Sequence, residues 1–276
     1  MSLLCWNCQG LGSPLTGRNL RFLYNKHRPA LVFLMETRVK TDKVERWRRR
    51  LDFQNKVYVE PIGIGGGLAV WWNDDIQLQL IKADKNIVHL KVVKGLEMDS
   101  GFLTLIYGPP RKQDRGSWWR RLRGLDPGEA VPWLCCGDFN DLMFDFEKEG
   151  GNTRGLNSLA EFQHFMIQCN MVDLGSKGME FTWSNKRVNE AHVKERLDRA
   201  VCNTAWREKH QNAQRAAFDL GSLKAPGPDG FPGLFYHHSW EVVGPQICTM
   251  LLAKVEQVMS CVTQREGWWT LVANLV

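Results

Sequence analysis

The stretch Glu195–Val201, ERLDRAV, alternates polar and apolar side chains, the period of a β-strand with one face buried. On that reading Arg196, Asp198 and Ala200 share a face. Asp198 is then a carboxylate held on a sheet beside arginine, a placement that suits a salt bridge, a metal or a histidine that it orients. ERLDRAV also closes a series of short β segments, and that series decides the fold class. Behind it lie Phe181–Trp183, Val131–Cys136, Phe102–Tyr107, Val88–Val93, Gln77–Ile81, Gly67–Trp72 and Lys56–Val59. Leu3–Asn7 and the continuous apolar run Ala30–Glu36 (ALVFLME) read as strands near the start, the second a central one. Helices are expected at Thr16–Lys26, after a cap at Thr41 or Asp42, at Ser117–Arg123, and at Ser158–Cys169 with Leu159, Phe162 and Phe165 inward. The β segments follow one another without the strict βαβ alternation of a doubly wound sheet. Two sheets packed face to face, with helices outside, is the architecture that fits.

Composition narrows the rest. The 276 residues suffice for one large α/β domain, or one domain plus a fragment, and 43% hydrophobic with 24% charged residues is globular material. No apolar run reaches the roughly 18 residues of a membrane span. The start MSLLCWNCQG lacks the basic segment and apolar core of a signal peptide, so a nuclear or cytoplasmic protein is expected, not a secreted one. Without a leader, the eight cysteines argue against a disulfide framework, and Cys5-x-x-Cys8 has no second pair to complete a zinc site. A net charge of +6 suits an anionic partner such as nucleic acid. Arg46–Arg50, RWRRR, reads more readily as a solvated helix face than as a contact to DNA. Near residue 210 the character changes: Pro226, Pro228 and Pro232 stand among glycines, and a helical stretch is expected from about Pro245 to Met259.

Polar residues sit where strands end. Asn7 ends the first strand, Glu36 ends ALVFLME, Tyr107 ends FLTLIY before Gly-Pro-Pro, and Asp138 and Asn140 end VPWLCCGDFND. Singly, each is a common turn former. Together, a glutamate and an aspartate with oxygen-rich neighbours suit Mg²⁺, and asparagine and tyrosine add uncharged hydrogen bonds that can position a phosphate.

LLCWNCQGLGS, FLMETR, YGPP, GDFND, FTWSN and ERLDRAV, in this order and at these separations, resemble the endonuclease/exonuclease/phosphatase superfamily. With GGLAVWWND, the details look most like the apurinic-endonuclease-like domain of plant LINE-type non-LTR retrotransposons. The match spans 1–206 and implies a four-layer sandwich, two β-sheets between helices, with the site at one end. The implied reaction is nicking of DNA by water, dependent on one divalent metal, Mg²⁺, and on no small-molecule cofactor. By motif, Glu36 would bind the metal with Asn7 beside it. Asp138 would orient or deprotonate the water, Asn140 would fix the phosphate and Asp138, and Tyr107 would contact the phosphate. Trp183 and Asn185 lie where the family approaches DNA; as residues they read equally well as a core tryptophan and a turn asparagine.

In that family the RLD aspartate, Asp198 here, bonds the histidine of a terminal Ser-Asp-His motif. This chain has no such motif, and none of its seven histidines follows an aspartate. Instead, 216–258 resembles the start of the reverse transcriptase of the same elements, without its metal-binding aspartates, and EGWWTLVANLV looks like a worn continuation. The expectation is two incomplete domains, 1–206 and 207–276. The first would lack its final strand region, exposing a sheet edge, and the second would be a helical appendage. An impaired endonuclease follows, with a non-catalytic nucleic-acid-binding relic or a phosphatase of the same superfamily as alternatives. Failing a histidine, Asp198 would form a simple salt bridge with Arg196.

Overall fold

The apolar runs become strands buried on both faces. In the computed structural model, which describes residues 2–96, 100–175, 177–178, 180–210, 259–263 and 269–274, the first strand is β1 (Ser2–Asn7). Then come α1 (Pro14–His27), β2 (Leu31–Met35), α2 (Thr41–Arg50), β3 (Asn55–Val59), β4 (Leu68–Trp72), β5 (Gln77–Ala83), β6 (Ile87–Lys94) and β7 (Gly101–Tyr107). After α3 (Lys112–Arg123) and β8 (Trp133–Asp138) follow β9 (Lys148–Glu149), α4 (Leu156–Gln168), β10 (Met171–Asp173), β11 (Lys177–Gly178), β12 (Trp183–Ser184), β13 (Lys194–Glu195), β14 (Asp198–Asn203), α5 (Thr204–His210), β15 (Met259–Thr263) and β16 (Trp269–Asn274). Among the described residues the first sheet has the order β11-β15-β16-β1-β2-β4-β3 and the second β10-β14-β8-β7-β6-β5; a small ribbon β12-β13-β9 stands apart.

The two-residue period of a strand sorts the core into layers. Leu3 and Cys5 of β1, Phe33 and Met35 of β2, Leu103 and Leu105 of β7, Leu134 and Cys136 of β8, and Ala200 and Cys202 of β14 fill one cluster between the sheets. The alternate residues point outward. Leu4, Trp6, Val32 and Leu34 meet Leu20 and Leu23 of α1 and Val44 of α2. Trp133, Cys135 and Val201 meet Trp118, Trp119 and Leu122 of α3 and Phe162 and Phe165 of α4. Helix, sheet, sheet, helix: the four-layer α/β sandwich is as expected. No helix among the described residues is long and apolar enough to cross a membrane.

Three local expectations are corrected. ERLDRAV is not one strand: Glu195 ends β13, paired with β9 and β12, while Asp198 starts β14, paired with β8 and β10. The break at Arg196–Leu197 resets the side-chain alternation, so Asp198 shares the inner face with Ala200 but not with Arg196. α3 begins at Lys112, not Ser117; Gly116 lowers helix propensity locally, but Trp118, Trp119 and Leu122 fix the whole helix against the second sheet. The final strand region is present. β16 pairs antiparallel with β1, Ser2 opposite Asn274 and Trp6 opposite Thr270, and β15 pairs with β16, so β1 has neighbours on both sides. TLVAN satisfies the β1 ladder through backbone groups, which any chain of suitable strand propensity can do. Met259 is therefore the first residue of β15, and the rest of the expected helical appendage, with the stretch resembling reverse transcriptase, lies outside the described residues.

Candidate active site

The inner-face alternation that builds the core ends in polar groups at one end of the sandwich. Asn7 follows Leu3 and Cys5 on β1, Tyr107 follows Leu103 and Leu105 on β7, and Asp138 follows Leu134 and Cys136 on β8; Asp198 precedes Ala200 and Cys202 on β14. The ladders place Tyr107 opposite Asp138 on one side and Asp198 opposite Asp138 on the other. Glu36 arrives from the turn after β2 with φ 52°, a left-handed conformation uncommon for L-residues.

These groups are joined by hydrogen bonds across the two sheets. The Asn7 Nδ2 amide lies 3.4 Å from Glu36 Oε1 and 3.2 Å from Asp138 Oδ2, donating to both. The Tyr107 hydroxyl donates to Glu36 Oε1 at 2.6 Å, and Arg38 donates to the other Glu36 oxygen. The Asn140 backbone N–H donates to Asp138 Oδ1 at 2.9 Å, and its side-chain amide donates to the Gly108 carbonyl at 2.9 Å. Gly108 is required there, because a Cβ would come within 2.0 Å of the Phe139 carbonyl. Asn7, Glu36, Tyr107, Asp138 and Asn140 thus form one connected constellation. An open cleft of about 380 Å³ runs beside it, lined by Glu36, Arg38, Lys85, Asn86, Tyr107 and Arg111 among others.

Electrostatics separates the two aspartates from ordinary surface carboxylates. Burial, opposed by the bonds from Asn7 and Asn140 and reinforced by the Glu36 charge, pushes Asp138 up to about 6. Burial and then the Asp138 charge push Asp198 well above the usual carboxylate range. Burial likewise raises the Tyr107 phenol, helped by its bond to Glu36, so Tyr107 remains a donor at neutral pH.

The donor set fits a hard divalent cation. Two carboxylates and an amide converge, and Asn7 Oδ1 is buried without a hydrogen-bond partner while its Nδ2 is committed to the carboxylates. Among the described residues no group of three or more histidine, cysteine, aspartate or glutamate side chains forms a metal cluster.

Asp198 and Arg196 do not form the simple salt bridge expected of them. Arg196 reaches Asp173 at 2.9 Å and Glu147 at 3.4 Å, on the outer side with Arg199. Instead, the Thr182 hydroxyl accepts from the backbone N–H groups of Leu197 and Asp198, and beside the Asp198 carboxyl it only partly offsets the burial and Asp138 charge that raise it. The histidines with described side chains lie elsewhere: His27 ends α1, His89 bonds Thr104, His164 is exposed on α4 and His192 bonds Ser184. Trp183 packs against Leu142, Leu159 and Leu197. Asn185 spends its side chain on its own loop, donating to Ala191 and accepting from Arg187 and Val193. Thr182 and Arg38 are residues that sequence reasoning passed over. Thr182 stands inside the quoted FTWSN and Arg38 inside FLMETR, but nothing local marks their partners.

Two sheets between two helical layers, with carboxylates and amides converging at the strand ends, define a class of hydrolase-like sandwich. The chain belongs to the Endonuclease/Exonuclease/phosphatase family, whose model matches residues 4–219. Solved structures share the fold. The AP endonuclease LMAP from Leishmania major superimposes with a TM-score of 0.58 at 15% identity, covering 74% of this chain and 79% of that one. An AP endonuclease from Archaeoglobus fulgidus gives 0.57 at 16%, with 74% and 86% covered. The endonuclease domain of TRAS1, a telomere-specific non-LTR retrotransposon, gives 0.53 at 13%, with 74% and 85% covered. A search of curated proteins found no match.

Proposed function

We propose that this chain is a divalent-metal-dependent phosphodiesterase that nicks DNA, derived from a retroelement endonuclease and slowed by the absence from its sequence of the Ser-Asp-His motif whose histidine would meet Asp198. The observation that carries the reading is the convergence of Asn7, Glu36, Tyr107 and Asp138 between the sheets, with Asn7 Oδ1 bare. The AP endonucleases and the TRAS1 endonuclease that share the fold favour DNA over a small phosphoester, as does the net charge of +6.

Glu36 and Asn7 Oδ1 would hold Mg²⁺, which neutralises the charge of an anionic diester and so lets a nucleophile approach. Tyr107 donates its one O–H to the Glu36 carboxylate and would contact the phosphate by exchanging that bond when substrate binds. Asp138 takes the proton of the attacking water. Its oxygens are anchored by Asn140 and Asn7, and its elevated pKa places it near neutrality, where a general base is most effective. Trp183 and Asn185 support a DNA-facing loop from within rather than through free side chains. Asp198 lacks the histidine that the family resemblance assigns to it. Loss of one electrostatic donor to a transition state typically costs about 10²–10³ in rate, so slow nicking is the expected state. We read 216–276 as a reverse-transcriptase remnant joined by an internal deletion, the end of which now supplies β15 and β16.

Plasmid nicking by the purified chain, with Mg²⁺ and with EDTA, beside Asp138→Ala tests this. Weak metal-dependent nicking lost in the variant supports it. The orphaned Asp198 also favours a second reading, a nucleic-acid binder that does not cut. Salt-sensitive DNA binding unaffected by Asp138→Ala, with no nicking, selects that one.

A further inference from the structure

The turn that carries Asp138 and Asn140 is held at its far end by a residue outside the constellation. Asp141 is 1% exposed, and its carboxylate accepts from three other parts of the chain. Arg115 Nη1 of α3 lies 2.8 Å from Oδ1, Arg154 Nη1 2.9 Å from the same oxygen, and Trp119 Nε1 3.1 Å from Oδ2. Arg154 then reaches on, placing Nη2 at 3.1 and 3.0 Å from the two oxygens of Glu195 on β13. Arg115 and Arg154 are themselves mostly shielded, with side chains 13% and 17% exposed, so these charged bonds are stronger than surface ion pairs.

The turn needs such an anchor. Asn140 sits at φ 52°, the left-handed region, which sets the path from its N–H, bonded to Asp138 Oδ1, to its side chain, bonded to the Gly108 carbonyl, and on to Asp141. Upstream the turn is fixed by the Phe139 N–H to Leu197 and the Gly108 N–H to Asp138 backbone bonds. Downstream, the next residue is Asp141. We infer that Asp141, clamped by Arg115, Arg154 and Trp119, is a positioning residue that fixes the downstream end of the turn and so keeps the Asn140 N–H on the Asp138 carboxylate. Arg154 carries the same constraint to the β12–β13 ribbon, coupling the loop of Trp183 to the turn of Asp138. The clamp is a geometric claim; its consequence for turnover rests on the phosphodiesterase reading.

Amide hydrogen exchange of the full chain, resolved at Asn140, separates positioning from general support. Asp141→Asn keeps size and removes the charge; Arg154→Lys removes the double bridge and guards against a first variant that does not fold. Loss of one such charged, buried bond is expected to speed exchange at Asn140 by at least about tenfold, while the β8 amides Leu134–Cys136 keep their protection. Unchanged exchange at Asn140, or equal acceleration across β8, overturns the inference. In parallel, nicking should fall about tenfold in turnover with KM unchanged; a fall matched by a uniform loss of β8 protection also counts against positioning. Should Asn140 respond while the unmodified chain neither nicks DNA nor hydrolyses a diester, the clamp stands and the phosphodiesterase reading alone fails.

Discussion

Asp138 and Asp198 are register partners across the β8–β14 ladder, both on the inner face and both nearly buried, at 5% and 8% exposed. Burial works against the charge of both, the Glu36 charge adds to it at Asp138, and the Asp138 charge adds to it at Asp198. The folded protein therefore holds protons that the unfolded chain releases: Asp138 rises to about 6 and Asp198 rises further from the ordinary carboxylate range. A carboxyl with a raised folded pKa leaves stability intact below its unfolded pKa, near 3.9, and removes it as pH climbs through the folded value. Asp198→Asn abolishes the repulsion and keeps the shape. In EDTA it should raise stability at pH 8 and leave it unchanged at pH 3.5. Urea melts at the two pH values check this; equal effects at both would mean the pair is not coupled.

The strand ends were legible because composition and alternation mark them. Asn7, Glu36, Tyr107, Asp138 and Asn140 each follow an apolar run, and the structure brings all five together. What was not legible depends on pairing between distant residues. Nothing near Arg196 in sequence announces that Glu147 and Asp173 compete for it, nor that a two-residue break ends the alternation of ERLDRAV. Thr182 serves Asp198 across 16 residues, and Asp141 draws on Arg115, Trp119 and Arg154 from three separate elements. The tail was read by descent, as a polymerase remnant, and a β-ladder is indifferent to descent: TLVAN pairs with β1 because its backbone can.

The metal reading makes a prediction that needs no turnover. A cation that binds only the folded chain stabilises it by mass action. At ten times Kd, Mg²⁺ or Mn²⁺ should raise the melting temperature by roughly 2–4 °C. Glu36→Gln should abolish the rise, because it removes a charged ligand at the centre of the bonds from Asn7, Tyr107 and Arg38. Tyr107→Phe should retain most of it. An equal rise in all three proteins would place the cation elsewhere.

Arg199 is fully buried, 2.9 Å from Asp173 and in contact with Glu147, over the Phe162 ring. Burial works against the charge of Asp173, yet Arg196 and Arg199 hold its carboxyl below the ordinary range. Glu147 in turn accepts from the backbone of Met143 and Phe144, the segment after the Asp138 turn. Arg199→Ala leaves the buried Glu147 and the half-buried Asp173 to Arg196 alone and should cost about 3 kcal/mol. Asp173→Asn alone should cost less, since Arg199 keeps Glu147. Denaturant midpoints measure both, and a cost below 1 kcal/mol for Arg199→Ala would show the network to be dispensable.

The tail strands bear on whether the first two hundred residues fold without the rest. β16 lies between β15 and β1, so each interior N–H of Trp269–Asn274 faces a neighbouring strand, and its removal leaves the whole β1 edge unpaired. A chain ending at residue 210 should form larger oligomers than the full chain or precipitate. Leu271→Pro in the full chain should act in the same direction. Leu271 stands opposite Cys5 on β1 and Cys261 on β15, and proline there removes a ladder N–H from a central strand at a cost of about 3 kcal/mol. Size-exclusion chromatography and thermal melts of the three proteins decide it. A monomeric 1–210 chain melting like the full one would mean that β1 does not need β16, and the tail would then be an addition to a domain already complete.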